Sequence, residues 1–133
     1  MSAAGLIHAR LVTAAGVSTR VCPDIRSAGT ALPCCVYTVV RDERIGVLDV
    51  SASASRALVH IDVIGESLGV ALLIAAAIAT SVHGATWSAS GEGTARAAIV
   101  MHTSTGVVDD PTPGRLDAER IVAIELNLIH TPT

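Results

Sequence analysis

Residues 56–84, RALVHIDVIGESLGVALLIAAAIATSVHG, carry two hydrophobic periods back to back. Ala57, Val59, Ile61 and Val63 fall on one side of an extended chain, and His60, Asp62 and Glu66 on the other. That is the alternation of a half-buried antiparallel strand. Ser67 then stands where a helix cap belongs, and the residues after it are apolar all round. No Asp, Glu, Lys or Arg occurs between Glu66 and Glu92, so this half of the chain must be buried. A chain of 133 residues supplies one modest core. Part of the apolar surface is therefore expected to face other copies of the same chain.

Outward from this stretch the remaining elements follow from pattern. Residues 2–15 place Leu6, Ile7, Leu11, Val12 and Ala15 at helical spacing, with Gly16 as the stop. Pro23 and the loop 27–30 lead into LPCCVYTVV, residues 32–40, a strand by its Val, Tyr and Thr content. The cluster RDERIG, residues 41–46, is expected to turn the chain into a hairpin that residues 45–50 extend, and residues 51–55 to be a loop or an irregular strand entry. After the helix, GATWSASGEG (84–93) reads as a polar loop, Ala97–Thr103 as a strand, and Gly106–Gly114 as a Gly/Pro-rich connection. The last strand alternates Val122, Ile124, Leu126 and Leu128 with Ala123, Glu125 and Asn127. This order implies an α+β fold with a single mainly antiparallel β-sheet and two helices packed on one face. Residues 1–133 form one domain in this reading, with 105–115 as a flexible loop.

Composition removes several functional classes. Half the residues are apolar and the mean hydropathy is +0.57, which excludes a disordered chain. A membrane span is not expected, because residues 67–82 make roughly 24 Å of helix and a span needs about 20 apolar residues. The opening MSAAGLIHARLVTAAG carries Arg10 where a signal peptide would be most apolar, so export is not expected. Cys22, Cys34 and Cys35 are odd in number with two adjacent, and read as small core residues rather than a disulfide framework. Nine basic residues against twelve acidic ones give −3, the wrong sign for affinity built on phosphate contacts.

The chemistry-bearing motifs are sparse. Gly65, Glu66, Ser67, Leu68 and Gly69 spell G-x-S-x-G at a strand-to-helix junction, followed by Asp109 or Asp110 and then His130, the chain order of α/β-hydrolases. A small serine hydrolase using Ser67 is thus the distant alternative; a simple helix cap explains the same serine with fewer demands. His60 and Asp62 on one strand face, with His102 and His130 on other strands, lack the close spacing of a zinc site. Gly91, Glu92 and Gly93 have neither the Lys nor the strand-to-helix setting of a phosphate cradle, and Tyr37 and Trp87 are too few for base stacking. No catalytic, cofactor or metal residue is assigned. An intracellular dimeric binding domain with a ligand between sheet and helix is the third class.

The runs RVCPDIRSAGTALPCCVYTVVRDER (20–44), RALVHIDVIGESLGVALLIAAAIATSVHG (56–84) and RIVAIELNLI (120–129) together resemble the tail-completion, or tail-terminator, proteins of long-tailed bacteriophages and phage-like particles. The shared cues are an early Pro-Asp loop, an LP-x-x-VY strand, an R-x-x-V-x-I-D-V strand closing into a helix that ends at Gly, and a final alternating strand. Two departures stand out: Ile64 where the family usually has an aromatic residue, and a helix without charges. The resemblance implies a structural virion protein at the neck of the tail, assembled in the host cytoplasm. It also implies a homo-oligomeric ring, usually a hexamer, that ends tube growth between the tail tube protein and the head-side connector protein. Genome DNA would pass its lumen without specific binding. A head-tail joining connector ring is the alternative.

Two surfaces are candidates for contact. On the helix, Leu68, Ala71, Leu72, Ile74, Ala75, Ile78 and Val82 form the stripe expected to cover the sheet. The opposite side, with Gly69, Leu73, Ala76, Thr80 and His83, is small and uncharged, and is the expected subunit interface. The segment Thr105–Arg115, with Asp109, Asp110 and Arg115, is the expected docking loop.

Overall fold

The computed structural model describes residues 3–13, 20–24, 33–45, 54–107 and 120–131. The elements are α1 (Ala3–Leu11), β1 (Val21–Pro23), β2 (Cys34–Ile45), β3 (Ala54–Gly65), α2 (Leu68–Val82), β4 (Trp87–Ala89), β5 (Gly93–Val107) and β6 (Arg120–Thr131). They build one six-stranded sheet in the order β1-β2-β3-β6-β5-β4. Among the described residues only the β1–β2 pairing is parallel. This is the α+β class read from the sequence, with both helices packed into the same core against one face.

The centre of the sheet is the antiparallel pair β3–β6, in register from Ser55↔His130 to Gly65↔Arg120. Ala57, Val59, Ile61 and Val63 face the core from β3, and Val122, Ile124, Leu126 and Leu128 from β6. The alternation read from the sequence is thus the burial pattern. Ala71, Ile74, Ala75, Ile78 and Val82 of α2 press onto these rows. At 100° per residue they span an arc about 100° wide.

α1 fills the other half of the core through Ala3, Leu6, Ile7 and Leu11. It touches β1 and β2 at one side of the sheet and β4 and β5 at the other. Six strands about 4.8 Å apart span roughly 24 Å, about twice the width of a helix. One helix reaches both sides only because the sheet is curled into a half-barrel around it. Bulges at Val39/Arg41 in β2 and at Ala95/Ala97 and Val100/His102 in β5 supply bending. Polar ties hold the plug. The Trp87 indole N–H donates to the Leu6 carbonyl at 2.9 Å, His8 Nδ1 lies 3.2 Å from the Tyr37 hydroxyl, and Arg10 donates twice to the Ser81 carbonyl at the end of α2.

Several boundaries differ from the sequence reading, each for a physical reason. α1 ends at Leu11, because the Thr13 hydroxyl and N–H both turn back onto the Arg10 carbonyl; Ala15 and Gly16 lie outside the described residues. Arg41–Ile45 is not a turn but the end of β2, pairing with Ala54–Leu58; its charges mark exposure on a strand that runs past the core. Pro23, read as part of the connection that leads into the strand at 32–40, ends an edge strand, Val21–Pro23, a place that tolerates Pro. Residues 84–93 are not one loop: Trp87–Ala89 pairs with Gly93–Ala95 across a turn in which Gly91 takes φ 77°. β5 is twice as long as the seven residues expected, since its two bulges break the period that marks a strand.

Burial gives a direct test on the isolated protomer. Ile78 is fully buried whereas Leu73 is 74% exposed. Ile78→Ala should cost about 2–5 kcal/mol, and Leu73→Ala less than about 0.5 kcal/mol, in denaturant unfolding. Equal losses at the two positions would refute this orientation of α2.

Candidate functional site

The G-x-S-x-G motif dissolves into packing. Ser67 is the N-cap of α2: its side chain accepts from the Val70 N–H at 3.3 Å, and its carbonyl accepts from the Ala71 N–H at 3.1 Å. Gly65 is needed for close approach, since a Cβ there would stand 3.1 Å from the Ala71 nitrogen and 3.2 Å from the Ala71 Cβ. Gly69 has open space above it. His130 lies at the far end of the same sheet, level with Ser55, whereas Ser67 follows Gly65. Ten residues of strand, about 33 Å, separate the two levels. His130 is buried and its Nε2 lies 3.0 Å from Asp42 Oδ1. The sequence did not suggest this pair, which ties β6 to β2 across β3. Asp109, Asp110 and Arg115 lie outside the described residues. Thr105–Val107, read as the start of that loop, belongs to β5.

The histidines sort by face. His60, Glu125 and His102 stand opposite one another in a row across β3, β6 and β5, on the side of the sheet away from the helices. His60 Nε2 is 3.5 Å from Glu125 Oε1 in a half-exposed pair, a geometry that contributes little in water. Neighbouring Asp62 has its carboxyl pushed above the usual range by burial, with His60 acting in the opposite direction. His130 points to the core face and does not join the row. Among the described residues no three His, Cys, Asp or Glu side chains come together as a metal site.

The three cysteines are buried and not joined in disulfides. Cys35 lies in the main core, and Cys22 and Cys34 belong to a small cluster with Val36 and Ile64 on the opposite face. Burial, and to a lesser degree Cys34 and Cys22, push the Cys35 thiol up to about 12. A thiol so placed is no nucleophile at neutral pH.

What remains is surface. Leu73 is 74% exposed, Leu72 45%, Leu68 39% and Val70 39%. Gly69, Ala76 and Thr80 are exposed beside Leu73, as the helix periodicity suggested. Leu68 and Leu72, expected to cover the sheet, do not: at 100° per residue they fall about 20° and about 60° beyond the arc that reaches it, so the uncovered apolar surface is larger than the periodicity implies. No helix among the described residues is long and apolar enough to cross a membrane.

This curled sheet matches a solved structure. A chain of the "Virion of native gene transfer agent (GTA) particle" superposes with a TM-score of 0.63 at 16% sequence identity, covering 98% of this chain and 100% of that one. At that identity the likeness shows the fold. No curated protein matches the sequence. The family model described as "Tail completion protein gp17" matches residues 5–123. The chain belongs to the tail completion protein gp17 family. It is a structural protein of the virion tail. The matched span runs from α1 into the first half of β6 and includes all the candidate contact residues named above.

Two expectations follow for this tail completion protein. Ser67→Ala should lose about 1 kcal/mol of stability and Ser67→Asp should retain it; covalent labelling of Ser67 by a fluorophosphonate would contradict a pure cap. The raised pKa of Cys35 has a definite sign. Above about pH 9 the unfolded state releases the proton that the folded state keeps until about 12. Stability should therefore fall as pH rises through that window. Cys35→Ala, compared with the parent by urea unfolding at pH 8 and pH 10, should show a smaller fall.

Proposed function

We propose that this protein forms a ring at the head-proximal end of the tail tube, where it ends tube growth and joins the tail to the head-side connector. The observation that carries this reading is the outer side of α2. Its apolar side chains Leu68, Val70, Leu72 and Leu73 are exposed in the protomer, and no charge occurs from Ser67 to Gly91. A solvated helix face carries charges; a face this apolar belongs in an interface. The structural neighbour is a chain of a virion particle, which supports an assembled rather than a free state. The net charge of −3 suits a lumen through which DNA passes without being held.

In this reading Gly69, Leu73, Ala76 and Thr80 meet the next subunit, with six subunits closing the ring. The small residues let its backbone approach, and Leu73 is the single large knob. The segment 109–113, DDPTP, docks on the adjoining ring, with the tube protein on one side and the connector on the other. The enzyme alternative has lost its geometry, since Ser67 and His130 stand at opposite ends of the sheet.

Ala76→Glu should leave the circular dichroism of the protomer unchanged and prevent its incorporation into particles, because an uncompensated charge buried in an interface costs several kcal/mol. Normal incorporation would show that this face looks at water. Deleting residues 109–113 should leave a folded protomer and lower the yield of joined particles; an unchanged yield would remove the loop from the docking surface. A particle structure with a single copy at the neck, or with the ring bound only to the connector, would overturn the tube-end assignment.

A further inference from the structure

β5 is the longest strand of the described residues, and its outer edge is covered there only as far as Val100. β4 pairs with Gly93–Ala95. The turn after α2 closes the next stretch, where the Gly84 N–H donates to the Ala98 carbonyl at 2.7 Å and the Val100 N–H donates to His83 Nδ1 at 3.1 Å. From Met101 to Val107 β5 has β6 on one side and, among the described residues, no strand on the other. Residues 101–106 are exposed on both faces. The sequence there, MHTSTGV, has no Pro and no Asp, Glu, Lys or Arg. Natural sheets blunt an exposed edge with charge, Pro or extreme shortness, and this edge has none of these.

The opposite side of the sheet also has an open stretch, one that carries the charges Arg41–Arg44. β1 covers only Cys35–Tyr37 of β2, and among the described residues Thr38–Ile45 has β3 on one side alone. These eight residues match the seven open ones of β5 in length.

We infer that the open edge of β5, residues 101–107, takes the open edge of β2, residues 38–45, from a second copy of this chain as an added antiparallel strand. The inference rests on the ring reading and supplies it with a backbone contact. A ring needs two different surfaces of one protomer to meet, and these edges lie on opposite sides of one sheet. Three antiparallel steps, β2 to β3 to β6 to β5, make β2 and β5 antiparallel, so two copies in the same orientation present their open edges antiparallel. Pairing of β5 with another β5 would close a dimer and leave β2 open. Two β2 edges paired about the centre of the charged cluster would set Arg41 against Arg44 and Asp42 against Glu43, like charges directly opposed. Against β5, which has no charge there, the cluster meets no such repulsion.

The open stretches are not level. Ser104 stands level with Asp62 through Ala123, whereas Asp42 pairs with Ala57, so the next copy is displaced by four to five residues, about 15 Å along the strands. A closed ring accommodates that stagger when its strands are inclined to the ring axis, as in a barrel. Aligning the two centres sets Thr105 opposite the neighbour's residues 40–41 and Thr103 opposite its 42–43.

The test is cysteine pairing in assembled particles. Thr105→Cys with Val40→Cys, and separately Thr103→Cys with Asp42→Cys, are introduced into the full chain, whose own cysteines are buried. After mild oxidation, non-reducing gels should show a ladder of disulfide-linked oligomers for at least one pair and monomer for each single variant. A covalent dimer from Thr105→Cys alone would overturn the proposal in favour of β5 pairing with itself. Monomer from both pairs, in particles that still show a ring at the neck, would overturn the edge contact and leave the ring reading standing. Particles without a ring would overturn both.

Discussion

The register between β3 and β6 is the constraint on which everything else depends. The side-chain period of a strand is two, so a slip by one residue would turn Val59, Ile61 and Val63 to water and His60 and Asp62 into the core. Locked in place, the pair presents one continuous apolar strip that α2 covers with Ala71, Ile74, Ala75, Ile78 and Val82. Ser67 fixes where that helix starts, and Gly65 lets it start close to the strand. The apolar surface left on the far side of α2 is a consequence: a 100° arc suffices for the sheet, and the sequence made more of the helix apolar than the sheet can use.

The second constraint is the curl. α1 binds both sides of the sheet at once, through its four buried side chains and through the ties of Trp87, Tyr37 and Ser81. Curling brings β4 next to a helix about eighty residues earlier in the chain, the Trp87–Leu6 bond spanning 81 positions. Among the described residues it also leaves the long strands β2 and β5 projecting past what the short edge strands β1 and β4 cover. A small structural protein of a tail has to combine a core that stands alone with surfaces that do not. Here the core lies between helices and sheet, exposed apolar side chains lie on the back of α2, and among the described residues parts of β2 and β5 have a strand on one side only.

Chemistry plays little part in this division. The groups that could suggest catalysis are each placed where structure explains them: Ser67 as a cap, His130 against Asp42, Cys35 in the core. The row of His60, Glu125 and His102 is a solvated strand face. What distinguishes the chain is geometry and exposure, which accords with a family of structural tail proteins.

The sequence alone determined the elements whose burial is one-sided and regular. β3, β6 and α2 were legible because alternation at two and at 3.6 reports which face meets the core, and Ser67 because a cap satisfies local N–H groups. The uncharged back of α2, including Gly69, Leu73, Ala76 and Thr80, was legible for the same reason. Only the tertiary structure decided the rest. β1 and β4, three residues each, carry too few positions for a period and exist because a neighbouring strand pairs with them. The bulges in β5 erase its alternation, and Arg41–Arg44 is charged because that part of β2 runs beyond the helices, not because the chain turns there. Leu68 and Leu72 read as core because periodicity gives the direction of a helix face, whereas its width is set by how much of the helix the curled sheet reaches.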